Sequence, residues 1–530
     1  MKWWLIILCI LGFILRYLQL DITPLVNRDE LAVGYNAYSI LLTGKDEHGI
    51  KMPLNFRSFS DYKLPGLIYS SVLPIKLFGL SVFSIRFINA LLGTLTIVFF
   101  YLMLKQINLS HMSQLISATL LSISPWHIHG SRSAYEPVTG LFWSVLGYVF
   151  LFKSRKNFAY ILGFLLTSVA GSFFYNAVLI LSPLSYALFL FSMHNLKEKI
   201  NLKHWFVFGG LVILLSIYWY KLTDVNMSRM NTTVFSEASI NSKPYLISRS
   251  IAKEDSPYLI TRIIQIPYFY QINLFIRGYL AVFNPAYIWF DGGNNPWHNL
   301  SFINTGNMLS VTLPMFVIGL YAGFKRLKLK RFTELYLIGL LFLTPFTSAI
   351  TIDSPNTNRL MDFHLVIIIF CGLGLSWLVE LNRIRIFFLF AAATAGSFVL
   401  FIYIYFGVIK DDLHPLWNPQ LKQVIYELKP MSKNYPVIYI TSPGEFSYIY
   451  SAFFTPFDPA DFQKEAVRST KGMEQVISYR QYRFESFTPI SCYKMLEVSP
   501  AQIGETEAGK KFLIRNLFGE PLWKATEVQL

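Results

Sequence analysis

Residues 84–104, Ser-Ile-Arg-Phe-Ile-Asn-Ala-Leu-Leu-Gly-Thr-Leu-Thr-Ile-Val-Phe-Phe-Tyr-Leu-Met-Leu, decide the fold class, and Lys105 ends the run. A helix needs roughly twenty mainly apolar residues to cross the hydrocarbon core of a bilayer. Working outward, comparable runs recur at about 3–20, 112–128, 135–152, 157–174, 176–193, 205–221, 309–324, 332–350, 361–380 and 386–408. The 530 residues are 53% hydrophobic and 17% aromatic, with a mean hydropathy of +0.42. A water-soluble chain could not hide that much apolar surface. The expectation is an all-α polytopic membrane protein with about eleven transmembrane helices.

The net charge of +15 would suit nucleic acid, but its placement points elsewhere. The cations gather in alternate short loops. These are Lys105; Lys153, Arg155 and Lys156; Lys197, Lys199 and Lys203; Lys325, Arg326, Lys328, Lys330 and Arg331; and Arg383 with Arg385. All of them share one side if the N-terminus is cytoplasmic and the C-terminus extracytoplasmic, which is the positive-inside pattern. The basic balance is therefore a topology signal of a plasma or inner membrane protein, and nucleic acid is not an expected partner. The first run lacks a small-residue cleavage site, and Arg16 with Tyr17 interrupts its end, so it reads as an uncleaved anchor. Cys9 and Cys371 lie in apolar runs and Cys492 in the tail, a pattern that gives neither a disulfide framework nor a metal-ligand spacing.

Three outward segments are too long or too polar to be simple connectors. They are residues 21–83, residues 222–308 and the tail from 411 to 530. This suggests a transmembrane domain over residues 1–410 and an extracytoplasmic domain over residues 411–530. The tail reads as a small α/β domain. Pro-Val-Ile-Tyr-Ile-Thr at 436–441 looks like a strand, Ser442-Pro443-Gly444 like a turn before a helix, and 511–518 like another strand.

Within the first outward segment, residues 27–43 have a helix start and stop. Asn27 is a plausible N-cap with Glu30 three residues on, and Gly44 is a plausible stop. Leu31, Tyr35, Tyr38 and Leu42 make an apolar stripe, so the helix is expected to lie in the membrane interface. Asp29 and Glu30 would then occupy its first turn. Two acids there can simply complement the helix dipole, or one can serve as a general base where a lipid-borne substrate arrives. Beyond them, His48 beside Asp46 and Glu47 can hold a divalent metal or form a solvated turn, the commoner case. Lys63, just before Pro65, can snorkel or contact a phosphate.

These residues, in their order, resemble the C-type fold glycosyltransferases, near the family 39 protein O-mannosyltransferases and the lipid A aminoarabinose transferases. Asp29-Glu30 follows the first span, as the Asp-Glu pair does there. Lys63-Leu64-Pro65 is similar to their Lys-Pro-Pro segment, and Phe78-Gly79 through Arg86 to the Phe-Gly…Arg lead-in to the second span. Ser124-Pro125-Trp126-His127 and Ser131-Arg132-Ser133-Ala134-Tyr135-Glu136-Pro137 resemble the second outward loop. The resemblance is strong over residues 1–190 and weaker over 270–380, where Gly306 and Leu313-Pro314 through Gly319-Leu320 look familiar; it does not place the tail.

The resemblance implies an inverting enzyme that takes a sugar from a polyprenyl phosphate and gives it to a glycan, lipid or protein acceptor among the membrane lipids. It implies Asp29 as base, with Glu30 and Glu136 orienting the base or the acceptor. Lys63, Arg132 and Arg359 are the phosphate candidates, since cations bind phosphate and Arg can do so bidentately. Arg132 and Arg359 could equally anchor in headgroups, and His298 could border the site or cap its loop. Two departures stand out. Tyr62 occupies the position of an acid implicated in metal binding, which argues against a divalent metal as cofactor. Glu136 replaces the usual Asp, one position nearer the proline.

Two other classes compete. A polyprenyl-linked sugar flippase or another transporter would place ionisable groups inside its spans, near the midplane. Here the acid pairs sit in outward loops. A membrane scaffold presenting the tail would have no need of Asp29, Lys63 and Arg132 together.

Overall fold

The structure, a computed structural model, describes residues 2–59, 61–197, 200–221, 230–242, 246, 267–293, 300, 305–327, 331–408, 419–441, 446–469, 475–485, 494–502, 504–506, 508–515 and 519–529. Contacts divide the chain into two compact units. The first comprises Met1–Arg16, Asn89–Ser131 and Glu136–Tyr403; the second comprises Tyr17–Ile88, Arg132–Tyr135 and Ile404–Leu530. The tail therefore clusters with the first outward segment instead of standing apart beyond residue 410.

The first unit is a helical bundle. It contains α1 (Lys2–Tyr17), most of α4 (Val82–Gln106), α5 (His111–Ser122), α6 (Pro125–Ser131), α7 (Glu136–Ser154), α8 (Ile161–Phe174), α9 (Asn176–Asn195) and α10 (Leu202–Lys221). It continues through α11 (Pro267–Val282), α12 (Thr312–Leu327), α13 (Phe332–Leu343), α14 (Met361–Glu380) and α15 (Ile384–Tyr403). Among the described residues seven helices are long and apolar enough to cross a membrane: Val82–Gln106, Glu136–Ser154, Asn176–Asn195, Leu202–Tyr220, Phe332–Ala349, Thr357–Glu380 and Ile384–Gly407. The chain is an integral membrane protein.

The other expected spans coincide with shorter helices. Those at 3–20 and 157–174 fall on Trp3–Tyr17 and Phe158–Phe174, and that at 309–324 falls on the 16-residue α12. The run at 112–128 is broken into α5 and α6, because Pro125 has no N–H to continue the ladder and disfavours helix in the residue before it. An apolar helix of 14 residues not expected as a span, α3 (Pro65–Phe78), belongs to the second unit.

Small residues set the centre of the bundle. α14 is buried almost throughout, and α12 lies against it at Gly319 and Gly374. A Cβ at Gly319 would run into the Phe370 carbonyl oxygen, and one at Gly374 into that of Met315. Such close backbone approach is how helices associate in lipid, where burial from water gives no drive. α10 and α15 bury only 17% and 11% of their apolar windows, which leaves broad faces for lipid.

In the second unit α2 (Arg28–Thr43) packs on α3 and on two tail helices, α17 (Ser447–Phe454) and α18 (Pro459–Glu465). Its ends are those expected. The Asn27 side chain accepts the Asp29 and Glu30 N–H groups, and Gly44 adopts φ 68°. Its surroundings differ from the expectation of a helix lying in the membrane interface. Leu31, Ala32, Tyr35 and Ala37 are completely buried, because small residues let the tail close over them. Gly34 faces Phe453 and Ile85 so closely that a Cβ would meet both at under 3 Å.

The tail is the expected small α/β domain. Its helices α16 (Pro419–Met431), α17 and α18 accompany a seven-stranded mixed sheet. The strands are β3 (Val437–Ile440), β4 (Val467–Ser469), β5 (Gln475–Tyr479), β6 (Tyr482–Arg483), β7 (Lys494–Pro500), β8 (Lys510–Arg515) and β9 (Pro521–Gln529), in the order β4-β5-β6-β3-β7-β9-β8. β3 and β8 fall on the expected strands, and α17 follows the expected turn. β1 (Phe56–Ser58) and β2 (Asp61–Lys63) form a separate hairpin that sets Lys63 opposite Phe56.

Candidate active site

The site begins at the first turn of α2. Asn27 caps it with 2.9 Å and 3.2 Å bonds from the Asp29 and Glu30 amides, and its own amide donates to the Tyr135 hydroxyl. A cap held from its far side fixes where the two acids start. Asp29 accepts a 2.7 Å bond from Lys63 Nζ, with the side chains 39% and 14% exposed respectively. A carboxylate and an ammonium thus meet at a surface that a substrate can reach.

Glu30, one residue on, is completely buried. Arg86 grips it with Nε on Oε2 and Nη2 on Oε1, both at 2.7 Å, while the Ala134 amide donates to Oε2 at 2.7 Å. The remaining Arg86 nitrogen donates to the Leu20 and Pro24 carbonyls at 3.0 Å and 2.7 Å. A bidentate, charge-assisted pair of this kind costs little only because both ions are fully hydrogen-bonded. Glu30 was expected beside the base, orienting it or the acceptor. Its oxygens instead tie α2 to α4 and to the Arg132–Tyr135 segment.

Arg132 is likewise completely buried. It donates to the carbonyls of Leu18 at 2.6 Å, Gln19 at 3.1 Å and Thr23 at 2.7 Å, and its guanidinium lies 4.7 Å from the Phe406 ring centre. Burial pushes it down to about 10, still cationic at neutral pH. The expected phosphate ligand is thus engaged by the turn that follows α1, so these contacts favour a structural duty for it.

Glu136 opens α7 in the first unit, half-buried. Arg359, in the same unit, donates to Asp353 and, at 2.9 Å, to Thr351 Oγ1. Burial alone would raise the Asp353 carboxyl, but Arg359 and the Thr351 and Asn356 bonds outweigh it and hold it below the usual range. The structure therefore brings Asp29, Glu30, Lys63 and Arg132 into one unit and places Glu136 and Arg359 in the other. His298 lies outside the described residues. Among the described residues no group of three or more His, Cys, Asp or Glu side chains is placed to hold a metal.

Arg86 was missed as a site residue, although a signal was present. A charge inside an apolar run needs a partner, and Arg86 sits in the very run that decides the fold. The bundle is also more polar inside than its sequence suggested. Tyr148 donates to Asp362 at 3.3 Å, Arg16 meets His127 at 2.7 Å, and Ser124 meets His364 at 2.7 Å.

A family model described as dolichyl-phosphate-mannose-protein mannosyltransferase matches residues 6–229, which contain Asp29, Glu30, Lys63, Arg132 and Glu136. An uncharacterised protein of Aquifex aeolicus (strain VF5) is 31% identical over 150 residues, 27% of this chain and 29% of that protein. The chain thus spans under a third of the curated relative it matches. Among solved structures, ArnT from Cupriavidus metallidurans bound to undecaprenyl phosphate superposes with a TM-score of 0.51 at 11% identity, covering 99% of this chain and 98% of the other. This chain has the C-type glycosyltransferase fold. The Archaeoglobus fulgidus oligosaccharyltransferase in complex with Zn and sulfate shares the C-type fold at a TM-score of 0.50 and 14% identity, over 85% of this chain and 61% of the other.

Proposed function

We propose that this chain is an inverting glycosyltransferase that moves a hexosyl or pentosyl group from a polyprenyl-phosphate donor to an acceptor at the outer face of the membrane. The observation that carries the reading is the Asp29–Lys63 pair, 2.7 Å apart and open to substrate, beside the saturated Glu30–Arg86 clamp. The match to a mannosyltransferase family model over residues 6–229 supports it.

In this mechanism the acceptor hydroxyl oxygen attacks the anomeric carbon from the face opposite the phosphate. Its proton passes to the Asp29 carboxylate as the new glycosidic bond forms. The bond from the anomeric carbon to the phosphate oxygen breaks, and the charge that develops on the lipid phosphate is met by Lys63. Before the donor arrives, Lys63 holds the Asp29 carboxylate in place through their 2.7 Å bond. Glu30 and Arg132 position the turn that presents Asp29. Glu136, Arg359 and His298 remain candidates for contacts to the acceptor or the donor. The N-terminus is cytoplasmic in this reading, and the C-terminal domain and active site are extracytoplasmic.

The test is incubation of the purified full-length protein with a panel of radiolabelled polyprenyl-phosphate sugars. At least one donor should be consumed with release of polyprenyl phosphate. Transbilayer movement of an intact donor without consumption would favour a flippase instead.

A further inference from the structure

Phe59 and Phe446 have positive φ, 54° and 38°, and are the two aromatic residues that do so among the described residues. For a bulky side chain that conformation is an outlier, and it lasts only where the surroundings hold it. Each also stands where something else is usual. Phe59 lies in the turn between β1 and β2, just after Ser58, which pairs with Asp61. Glycine or asparagine ordinarily fills such a turn. Phe446 is the N-cap of α17, at φ 38° and ψ 50°, whereas a capping residue is ordinarily extended.

The two rings pack on each other within the second unit. Their centres are 4.4 Å apart, and both side chains are buried. The Arg28 guanidinium lies 4.6 Å from the Phe446 ring centre and 5.7 Å from that of Phe59, within the reach of cation–π attraction. Two of these three residues adjoin the two halves of the candidate site. Arg28 immediately precedes Asp29 in the first turn of α2. Phe59 stands at the tip of the hairpin whose second strand ends in Lys63. The third, Phe446, comes from the tail and touches both.

We propose that Phe446 is a positioning residue for sugar transfer. Its ring holds the hairpin tip against the first turn of α2, so that the tail sets the distance between Lys63 and Asp29. The inference rests on the reading of Asp29 as base and Lys63 as phosphate contact. The strained backbone at both phenylalanines is the cost of bringing the rings together over that short path.

Phe446→Leu keeps the apolar bulk and the strained backbone but removes the ring, whereas Phe446→Tyr keeps the ring. Hydrogen exchange and turnover of the full-length protein test the proposal. In Phe446→Leu the amides of residues 56–63 should exchange about tenfold faster and kcat should fall about tenfold, the scale of one aromatic pair. The donor KM, and exchange in β7 and β9, should change little. Phe446→Tyr should keep both hairpin protection and kcat. Phe59→Leu should copy the defect, and it carries the same readouts if Phe446→Leu does not accumulate. The double variant should lose no more than either single one, because both remove the same contact. Unchanged hairpin exchange would overturn the proposal, as would faster exchange with unchanged kcat. So would a loosening shared equally by β7 and β9, or losses that multiply in the double variant. Hairpin exchange does not depend on which group is the base. A wrong reading of Asp29, seen as full turnover by Asp29→Asn, is therefore distinguished from a ring stack that holds nothing.

Discussion

Asp29 keeps more than a third of its side chain in solvent and meets a lysine, whereas Glu30 is sealed from solvent between an arginine fork and a backbone amide. Neighbours on a helix point about 100° apart, because a turn takes 3.6 residues. One first turn therefore supplies an acid facing the surface and an acid facing the core. A pair motif read as two catalytic carboxylates can accordingly hold one group for chemistry and one that fixes where the first one stands.

The largest effect that sharpens this contrast should come from the buried side. Arg86→Ala leaves Glu30 charged and without its fork, and breaking a buried pair costs about 3–5 kcal/mol. Thermal unfolding of the purified variant should show that loss, or the folded protein should fail to accumulate. Near-normal stability would break the comparison. On the exposed side, Asp29→Asn keeps the size of the side chain and leaves the Asn27 cap in place, so the melting temperature should hold. Turnover should fall ~10²–10⁴-fold if Asp29 is the base, with kcat affected far more than KM. Loss of stability in step with activity would make Asp29 another structural acid.

Arg132→Lys asks to which side Arg132 belongs. An ammonium cannot reach the three carbonyls that the guanidinium spans, so stability should drop by about 1–3 kcal/mol. Donor affinity per folded molecule should be unchanged. Weaker donor affinity with unaltered stability would return Arg132 to the phosphate.

The smallest effect concerns Glu47, an acid of the first outward segment that is buried like Glu30 but less completely compensated. Asn36 donates to it at 3.0 Å, and Arg468 of the tail stands 3.6 Å away. Burial pushes its carboxyl above the ordinary value of 4.5 despite both. A raised folded value means that the contribution to stability is complete below pH 4.5 and is lost as the pH rises through the folded value. Glu47→Gln should flatten that dependence and raise the melting point at neutral pH by about 2 °C. A melting curve that stays pH-dependent in the variant would place the titration elsewhere.

The sequence by itself determined the elements whose causes are local. Hydropathy marks the spans, because a helix in lipid must satisfy its backbone within itself and show apolar side chains outward. Asn27 and Gly44 mark the ends of α2, because capping is decided within a few residues. β3 and β8 were legible from their β-branched and aromatic runs. Only the tertiary structure decided what each charge does. Arg86 lies 56 residues from Glu30, and Arg132 lies 109 from Thr23. The burial of α2 depends on tail helices more than 400 positions away, as the Tyr35 bond to Phe457 illustrates. An acid and its partner are chosen by which surfaces the fold brings together, and no local pattern of residue types carries that choice.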